Sequence, residues 1–496
     1  MSSLTNLALS VSLALGISTP SLSFADINVI KKGQYTEDCG GEKSCAEISA
    51  FSPVSNRIYT TNAEENELRI LNVDSNGWLS EYSSLALVGG GPNSVATYGD
   101  WVAVAVEAPN KQDAGSVLIY DLEGNLERTI QAGALPDMLT FTPDGQFLIV
   151  ANEGEPDDDY ENDPEGTVTV INTSTWVPAT ADFNAFNNAK LKNVRIFGPG
   201  ASVAQDVEPE YIAVSADSTT AWISLQENNA LAKLDIASAT ITDIYGLGYK
   251  KHQQDKNAFD ASNKDDAINI QPWPTKGMYQ PDAIASFEYG GSTFILSANE
   301  GDARDYDGYS EEVRVKDLTL NPDAFPNAEE LQQKENLGRL KTTTANGDIN
   351  DDGAHEKIYS YGARSFSIWD EKGSRVYDSG SDFESFLAEY AYNNVDNEPW
   401  EEGRSDDKGP EPESIATGEL GDKLYAFIGL ERANGIFIYD ISNPRKSKPA
   451  GYINIEEQGD IGPEGLLFVK KDDFTGWVIV TSEISNTVSI YEITMD

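Results

Sequence analysis

EPEYIAVSADSTTAWISLQENNALAKLDIASATITDIYG, residues 208–246, holds one full copy of a pattern that recurs along the chain. A proline between two acids opens it, an apolar strand follows, and a second strand returns after the turn signal SADS to end on Glu227. A third strand, ALAKLDI, and a weaker fourth, ITDIYG, complete the unit. Short strands separated by turn residues are typical of all-β proteins.

Two positions, usually acidic, mark each copy of the pattern. The first lies in a Pro-acid-x-x-apolar motif, and the second ends the following strand 14 to 19 residues later. The first positions are Asp137, Glu210, Asp282, Glu413 and Glu464, with degenerate copies at Glu47 and Asn93. The second positions are Glu64, Glu107, Glu153, Glu227, Glu300, Glu431 and Glu483. Seven units of four strands predict a seven-bladed β-propeller.

The two ends of the chain fit this prediction. The last unit lacks a fourth strand, and INVIKKGQY, residues 27–35, is a spare strand that we expect to complete it and so remove an exposed sheet edge. We therefore predict one domain over residues 26–496. Longer spacings predict loop insertions on one face, at about 154–165, 249–280, 301–356 and 381–410.

The first 25 residues predict export. They contain no acid, carry a short apolar run and end in Ser-Phe-Ala, which is typical of a cleaved signal peptide. We expect the mature protein to be periplasmic or extracellular, and no later segment is apolar enough to enter a membrane. The two cysteines, Cys39 and Cys45, then predict a disulfide.

The charge of the chain favours cations as partners. A net charge of -47 repels nucleic acid and anionic lipid, although a secreted protein in salty water also tolerates such a surface. With only two His and two Cys, a metal ion would be held by oxygen ligands. Such ligands suit Ca²⁺ first, then Mg²⁺ or Mn²⁺.

The propeller geometry would collect these acids in one place. The start of strand one and the end of strand two lie on the same face, and the acidic loop 150–166 lies there too. The predicted metal ligands are Glu153, Glu155, Glu210, Glu227, Asp282, Glu300, Asp302, Asp305, Glu413, Glu431 and Glu464. The alternative is that these acids cap strands and satisfy loop amides. Separately, DINDDG at 348–353 matches part of a calcium loop or forms an Asx-rich turn.

Basic residues are rare, and several lie in or near the insertions. Guanidinium and ammonium groups beside metal ions are what phosphoester hydrolysis needs. The candidates for this catalytic role are Arg304, Arg314, Arg364, Lys408 and Arg432. The alternative is that each pairs with a neighbouring acid and orders its loop.

Several longer motifs resemble those of a known family. VANEGEP, EPEYIAVS, ANEGDARDYDGYSEE, GARSFSIWD and RSDDKGPEPE are similar to the choice-of-anchor I family, which overlaps with mesenchyme-specific cell surface glycoproteins. The resemblance implies a secreted β-propeller. Bacterial members are often labelled alkaline phosphatases, and animal members are associated with calcium mineral.

Two functions follow as expectations. The first is an exported calcium-dependent phosphoesterase, in which a metal-bound water attacks a small phosphate ester in the acidic funnel. The second is a non-catalytic calcium-binding propeller for adhesion, matrix or biomineral contact. A glycosidase-type carboxylate pair among so many acids also stays open.

Overall fold

A computed structural model describes residues 27–37, 44–393 and 402–495. The predicted signal peptide and Cys39 of the predicted disulfide lie outside these residues. The described chain is all-β, as the sequence predicted, with strands numbered β1–β33 in chain order. Among the described residues, no helix has the length and apolar character needed to cross a membrane.

Seven antiparallel sheets of four strands form the body, and we number them in chain order. Sheets 1 and 2 comprise β2 (Ser49–Ser52), β3 (Arg57–Asn62), β4 (Glu67–Val73) and β5 (Leu79–Ala86), then β6 (Pro92–Tyr98), β7 (Trp101–Val106), β8 (Ala114–Asp121) and β9 (Leu126–Ala134). Sheets 3 and 4 comprise β10 (Pro136–Phe141), β11 (Phe147–Asn152), β12 (Thr167–Asn172) and β13 (Val177–Asp182), then β14 (Pro209–Val214), β15 (Thr220–Leu225), β16 (Ala230–Asp235) and β17 (Thr240–Gly246).

The remaining sheets contain the largest connections. Sheet 5 comprises β20 (Ile284–Tyr289), β21 (Ser292–Asn299), β25 (Ser365–Asp370) and β26 (Arg375–Asp378). Sheet 6 comprises β27 (Pro412–Leu420), β28 (Lys423–Leu430), β29 (Gly435–Asp440) and β30 (Lys448–Asn454). Sheet 7 comprises β31 (Pro463–Lys470), β32 (Thr475–Ser482) and β33 (Thr487–Met495), and β1 (Ile27–Thr36) pairs antiparallel with β33.

The second and third strands of the sheets are largely buried because each sheet packs between two others. In β11, for example, FLIVAN is buried from its second residue onward. A buried apolar cluster lies between every pair of consecutive sheets. A further cluster joins sheet 7 back to sheet 1, where Ile58 and Leu71 pack with Trp477 and Ile479. The packing order of the sheets is therefore cyclic.

The connections around sheet 5 build a core of their own. β18 (Tyr249–Lys251), β19 (Thr275–Met278) and β24 (Ile358–Ser360) form one small sheet, and β22 (Glu312–Arg314) pairs with β23 (Lys341–Thr343). Phe259, Trp273 and Phe325 are among the apolar side chains buried between them. This apolar cluster is separate from the clusters between the seven sheets.

Few helices accompany the strands. α1 (Val203–Asp206) and α2 (Ala328–Leu331) are single turns, whereas α3 (Asp382–Asn393) is longer and buries Phe383 and Leu387 against sheet 6. Short 3₁₀ turns in the described chain are Asn184–Phe186, Asp255–Asn257, Val315–Asp317, Glu402–Arg404 and Glu456–Gln458.

Candidate metal centre

A β-bulge follows the proline of five first strands. Proline has no N–H to donate to the ladder, and a bulge at such a position re-aims the side chain that follows it. The register shifts fall between Pro92 and Ser94, Pro136 and Leu139, Pro209 and Ile212, Pro412 and Ile415, and Pro463 and Gly465. In the last four of these strands the acid of the Pro-acid motif lies within the shift.

The acid that ends strand two is held beside this bulge by its own backbone. The amide of Glu153 donates to the carbonyl of Leu135 at 3.0 Å, and that of Glu483 donates to the carbonyl of Gly462 at 2.8 Å. Each acceptor lies two residues before the acid of the Pro-acid motif. The two marks of one repeat therefore lie side by side.

The residue before the proline adopts an uncommon backbone conformation. Leu135, Gln280 and Glu411 have φ values of +47°, +42° and +51°, although none of them is glycine. Left-handed conformations of such residues cost roughly 1–3 kcal/mol each and persist where the surroundings enforce them, often at functional sites. The repeated strain marks this face of the sheets.

A cavity of about 670 Å³ opens where these marks meet. Residues at or next to the first strands of all seven sheets line it, and its polar lining is dominated by carboxylates. The lining acids are Glu47, Glu107, Asp137, Glu153, Glu155, Glu210, Asp282, Glu300, Asp302, Glu413 and Glu464. The lining bases among the described residues are Lys111 and Lys408. The cavity lining therefore has a large excess of acidic over basic side chains.

Eight of the eleven predicted metal ligands lie in this lining, and three lie elsewhere. Glu431 is buried next to the cavity and shares a cluster with Glu300. Glu227 lies beside Glu208, with which it shares a hydrogen bond. Asp305 is exposed in the loop after sheet 5's second strand.

Two groups of three acids have carboxylate oxygens close enough to share a cation. Asp282, Glu300 and Glu413 offer oxygens within 4.8 Å of one another, and so do Glu300, Glu411 and Glu431. We call these the central triad and the side triad. Because Glu300 belongs to both, the two triads are adjacent.

Burial and mutual repulsion raise the carboxyl pKa values in and around the cavity. Burial, with the charge of Glu483 adding to it, raises the pKa of Glu464 to about 8. The pKa of Glu431 is also raised to about 8, mainly by burial, and that of Asp137 to about 7 by burial and the charge of Glu155. Burial and the charge of Glu300 raise the pKa of Asp282 well above its ordinary value.

Two cavity carboxylates are left without a partner for one oxygen. Oε2 of Glu210 and Oε2 of Glu413 are buried and accept no hydrogen bond within the described chain. A buried acceptor without a donor is unfavourable, so these oxygens are available to a cation. The donor set is carboxylate oxygen throughout, which fits Ca²⁺, Mg²⁺ or Mn²⁺.

Among the predicted basic residues, Lys408 and Arg432 lie next to these triads. Lys408 Nζ contacts Glu300 Oε1 and lies 3.3 Å from Glu411 Oε2. Arg432 Nη2 lies 2.8 Å from Glu431 Oε1, and its side chain is about one-third exposed. Both bases thus touch the side triad.

The other three basic candidates lie outside the cavity lining and have protein partners. Buried Arg304 places Nη1 2.6 Å from Asp206 and Nη2 2.9 Å from Glu208. Buried Arg364 pairs with Glu384 at 2.8 Å and donates to three backbone carbonyls. The third candidate, Arg314, pairs with Asp406 at 2.8 Å.

Sequence reasoning missed Glu208 and Glu411 as members of this region. Both are almost fully buried, and Glu411 Oε1 lies 2.5 Å from Arg404 Nη2. Their signal was present, because each is the first acid of an E-P-E triplet whose third residue was selected. Glu47, Glu107 and Asp137 carried the repeat mark but were left out of the predicted ligand set.

Two other acidic segments have local explanations. In DINDDG, Asp348 accepts the amides of Asp352 and Gly353 at 3.2 and 2.7 Å, which makes the segment an exposed Asx-type turn. In the loop 150–166, Tyr160 packs edge-on against Tyr306, whose hydroxyl donates to Glu155 at 3.3 Å. The connection between β21 and β25, which contains Tyr306, therefore contacts the rim of the cavity directly.

The chain is similar in sequence to one protein family and to two animal proteins. The family model described as choice-of-anchor I domain matches residues 47–444. Gigasin-3a of Magallana gigas is 38% identical over 122 residues, which are 23% of this chain and 43% of that protein. The mesenchyme-specific cell surface glycoprotein of Strongylocentrotus purpuratus is 24% identical over 374 residues, 65% of this chain and 46% of that protein. The chain thus spans less than half the length of either relative.

One solved structure also resembles the chain in backbone shape. Hydrazine synthase from Kuenenia stuttgartiensis aligns with a TM-score of 0.49 and 12% sequence identity. The alignment covers 92% of this chain and 97% of that one.

Proposed function

The chain belongs to the choice-of-anchor I domain family, and from that premise we propose that it is a cell-surface or extracellular seven-bladed β-propeller that binds divalent cations, Ca²⁺ foremost. The binding region is the acidic cavity, with the central triad Asp282, Glu300 and Glu413 at its centre. The surface location is supported by the family and by the name of the Strongylocentrotus purpuratus relative, a cell surface glycoprotein.

The propeller assignment is supported by the cyclic packing of the sheets. Each of the seven sheets is a blade in this proposal, and the apolar cluster between sheets 7 and 1 closes the ring. β1 supplies the outer strand of the last blade by pairing with β33. Closure of this kind leaves no sheet edge at the junction of the chain ends.

The single observation that carries the cation proposal is the concentration of carboxylates in one cavity. Eleven acids and two lysines line about 670 Å³. Carboxylates that crowd each other at low dielectric repel strongly unless protons or cations neutralise them. Because the pKa values of Asp137 and Glu464 are raised to about 7 and about 8, divalent ions can compete with protons for these oxygens.

The central triad is the better of the two candidate centres. In the side triad, Glu411 is already paired with Arg404 and Lys408, and Glu431 is paired with Arg432. In the central triad, Lys408 contacts Glu300, but neither Asp282 nor Glu413 forms an ion pair within the described chain, and Glu413 keeps a buried oxygen without a hydrogen bond. Ca²⁺ accepts irregular sets of six to eight oxygens, whereas Mg²⁺ demands an octahedron, so Ca²⁺ suits a cavity with many adaptable carboxylates.

Calorimetric titration of chelator-stripped protein with CaCl₂, MgCl₂ and MnCl₂ tests this proposal. Glu413→Gln should weaken calcium binding at least tenfold, because it removes one charge from the central triad. Glu419→Gln is the matched control, since Glu419 lies on the same strand but is exposed. Absence of calcium binding to the unaltered protein, or equal binding by Glu413→Gln, contradicts the proposal.

A second function, phosphate-ester hydrolysis at the same centre, is favoured by the position of Lys408. Its ammonium lines the cavity next to the central triad, where it can donate to a phosphoryl oxygen. A divalent cation, when bound, supplies Lewis-acid polarisation of the phosphate. The carboxylates alone would repel a phosphate dianion, so this activity requires prior cation binding.

Assays with a chromogenic phosphomonoester and diester distinguish the two functions. Turnover that requires Ca²⁺ and falls at least a hundredfold in Glu300→Gln supports the hydrolase. Calcium-dependent melting without turnover instead supports a non-catalytic propeller for adhesion, matrix or mineral contact.

A further inference from the structure

We infer that Lys408 is a built-in competitor of the cation, a tethered positive charge that holds Glu300 until a divalent ion displaces it. The inference rests on the proposed function, because it concerns how the central triad is regulated. It assigns Lys408 a regulatory role that neither the hydrolase nor the adhesion proposal requires.

The geometry places the ammonium on the carboxylate that both triads share. Lys408 Nζ contacts Glu300 Oε1 and lies 3.3 Å from Glu411 Oε2, and its side chain is 14% exposed. Glu300 also donates an oxygen to the central triad with Asp282 and Glu413. Ammonium and divalent cation therefore meet at a single carboxylate.

The backbone that carries Lys408 is firmly attached to the protein. Residues 405 and 407 give their carbonyls to buried Arg364 at 2.8 and 2.7 Å. Ser405 also donates to Asp260 at 2.9 Å, and Asp407 lies 3.1 Å from Lys341. The backbone at Lys408 is thus fixed by its neighbours, so the ammonium stays near the cavity when the side chain moves.

Displacement has a ready destination. When a divalent ion takes Glu300, repulsion between two positive charges a few ångströms apart pushes the ammonium off that carboxylate. Glu411 Oε2 already lies 3.3 Å from Lys408 Nζ, so Lys408 can keep this contact with the side triad when it leaves Glu300. Cation binding and the Lys408–Glu300 contact therefore oppose each other.

The test compares two variants that each remove one lysine charge from the cavity. Lys408→Met removes the charge that contacts Glu300. Lys111→Met is the control, because Lys111 lines the same cavity but is exposed. Calcium titration of both full-length variants should give at least tenfold tighter binding for Lys408→Met than for the unaltered protein, and a clearly smaller gain for Lys111→Met.

A gain of affinity separates this role from a structural one, since a damaged cavity would bind calcium more weakly. Equal or weaker binding by Lys408→Met, or equal gains in both variants, overturns the inference while leaving calcium binding itself intact. Absence of calcium binding to the unaltered protein overturns the proposed function instead. Circular dichroism at saturating CaCl₂ checks that each variant is folded during titration.

Discussion

The backbone amide of Glu431 donates to the carbonyl of Glu411 at 2.9 Å, which ties the end of strand two in sheet 6 to the strained residue before Pro412. Glu153 with Leu135, and Glu483 with Gly462, make the same contact in sheets 3 and 7. This repeated backbone hydrogen bond places the two acidic positions of a repeat side by side without any side-chain contact. Backbone hydrogen bonds therefore determine that the acidic side chains gather at the cavity.

The metal-free protein should lose stability as pH rises from about 4.5 to about 8. Glu431 and Glu464 have folded-state pKa values of about 8, above the unfolded value near 4.5. In this window the unfolded chain releases protons that the folded chain retains, so unfolding becomes more favourable with increasing pH. Urea unfolding in chelator across this range measures the slope.

Added CaCl₂ should reduce that slope, because a bound cation replaces the protons. A stability of the chelated protein that is flat or rises through this pH window would contradict the neutralisation argument.

Asp282→Asn should have opposite effects with and without calcium. The raised pKa of Asp282 means that its ionised form is unfavourable in the folded protein, so the neutral amide should stabilise the chelated protein at pH 8. The same change should shrink the stabilisation that calcium provides. Melting curves in chelator and in CaCl₂ measure both effects, and a variant less stable in both would count against the central triad.

Arg304→Met should destabilise the protein strongly. The guanidinium is buried between Asp206 and Glu208, so its removal leaves both carboxylates without their main counter-charge. Breaking a buried pair in this way costs about 3–5 kcal/mol. Urea unfolding measures it against Lys316→Met, an exposed control in the same insertion that should change stability by under about 0.5 kcal/mol.

Asp460→Ala should loosen the junction between the two ends of the chain. Its buried carboxylate accepts hydrogen bonds from Lys31, Gln34, Thr487, Ser489 and Tyr491. Because these donors lie on β1 and β33, we expect a loss of about 3 kcal/mol and faster amide exchange in β1. Exposed Asp473→Ala is the control, and comparable exchange in the two variants would argue against a junction held by Asp460.

Ile479→Ala tests the core between the last and first sheets. Ile479 is fully buried in that cluster, and large-to-small changes at such sites cost about 2–5 kcal/mol. Ile484, 50% exposed in the adjacent turn, gives a matched Ile484→Ala control with an expected loss of under about 0.5 kcal/mol. Equal urea midpoints would show that sheets 7 and 1 do not depend on each other.

Part of this architecture could be predicted from local sequence patterns alone. Strand order, the spare N-terminal strand and the grouping of acids follow from a repeat in which a proline, an acid and a strand-ending glutamate keep nearly constant spacing. Local rules suffice there because hairpins and bulges are set by residues close in sequence. Eight of the eleven selected carboxylates accordingly line the cavity.

Only the tertiary structure decided which basic side chains reach the cavity. Lys408 and Arg364 were equivalent candidates in the sequence, yet one ammonium enters the cavity while the guanidinium is sealed by Glu384 and three carbonyls. Their paths depend on an insertion with its own apolar core and on ion pairs between residues about a hundred positions apart, such as Arg304 with Asp206. Such contacts have no period in the sequence, so the chain determined where the acids gather and the folded insertion determined which bases meet them.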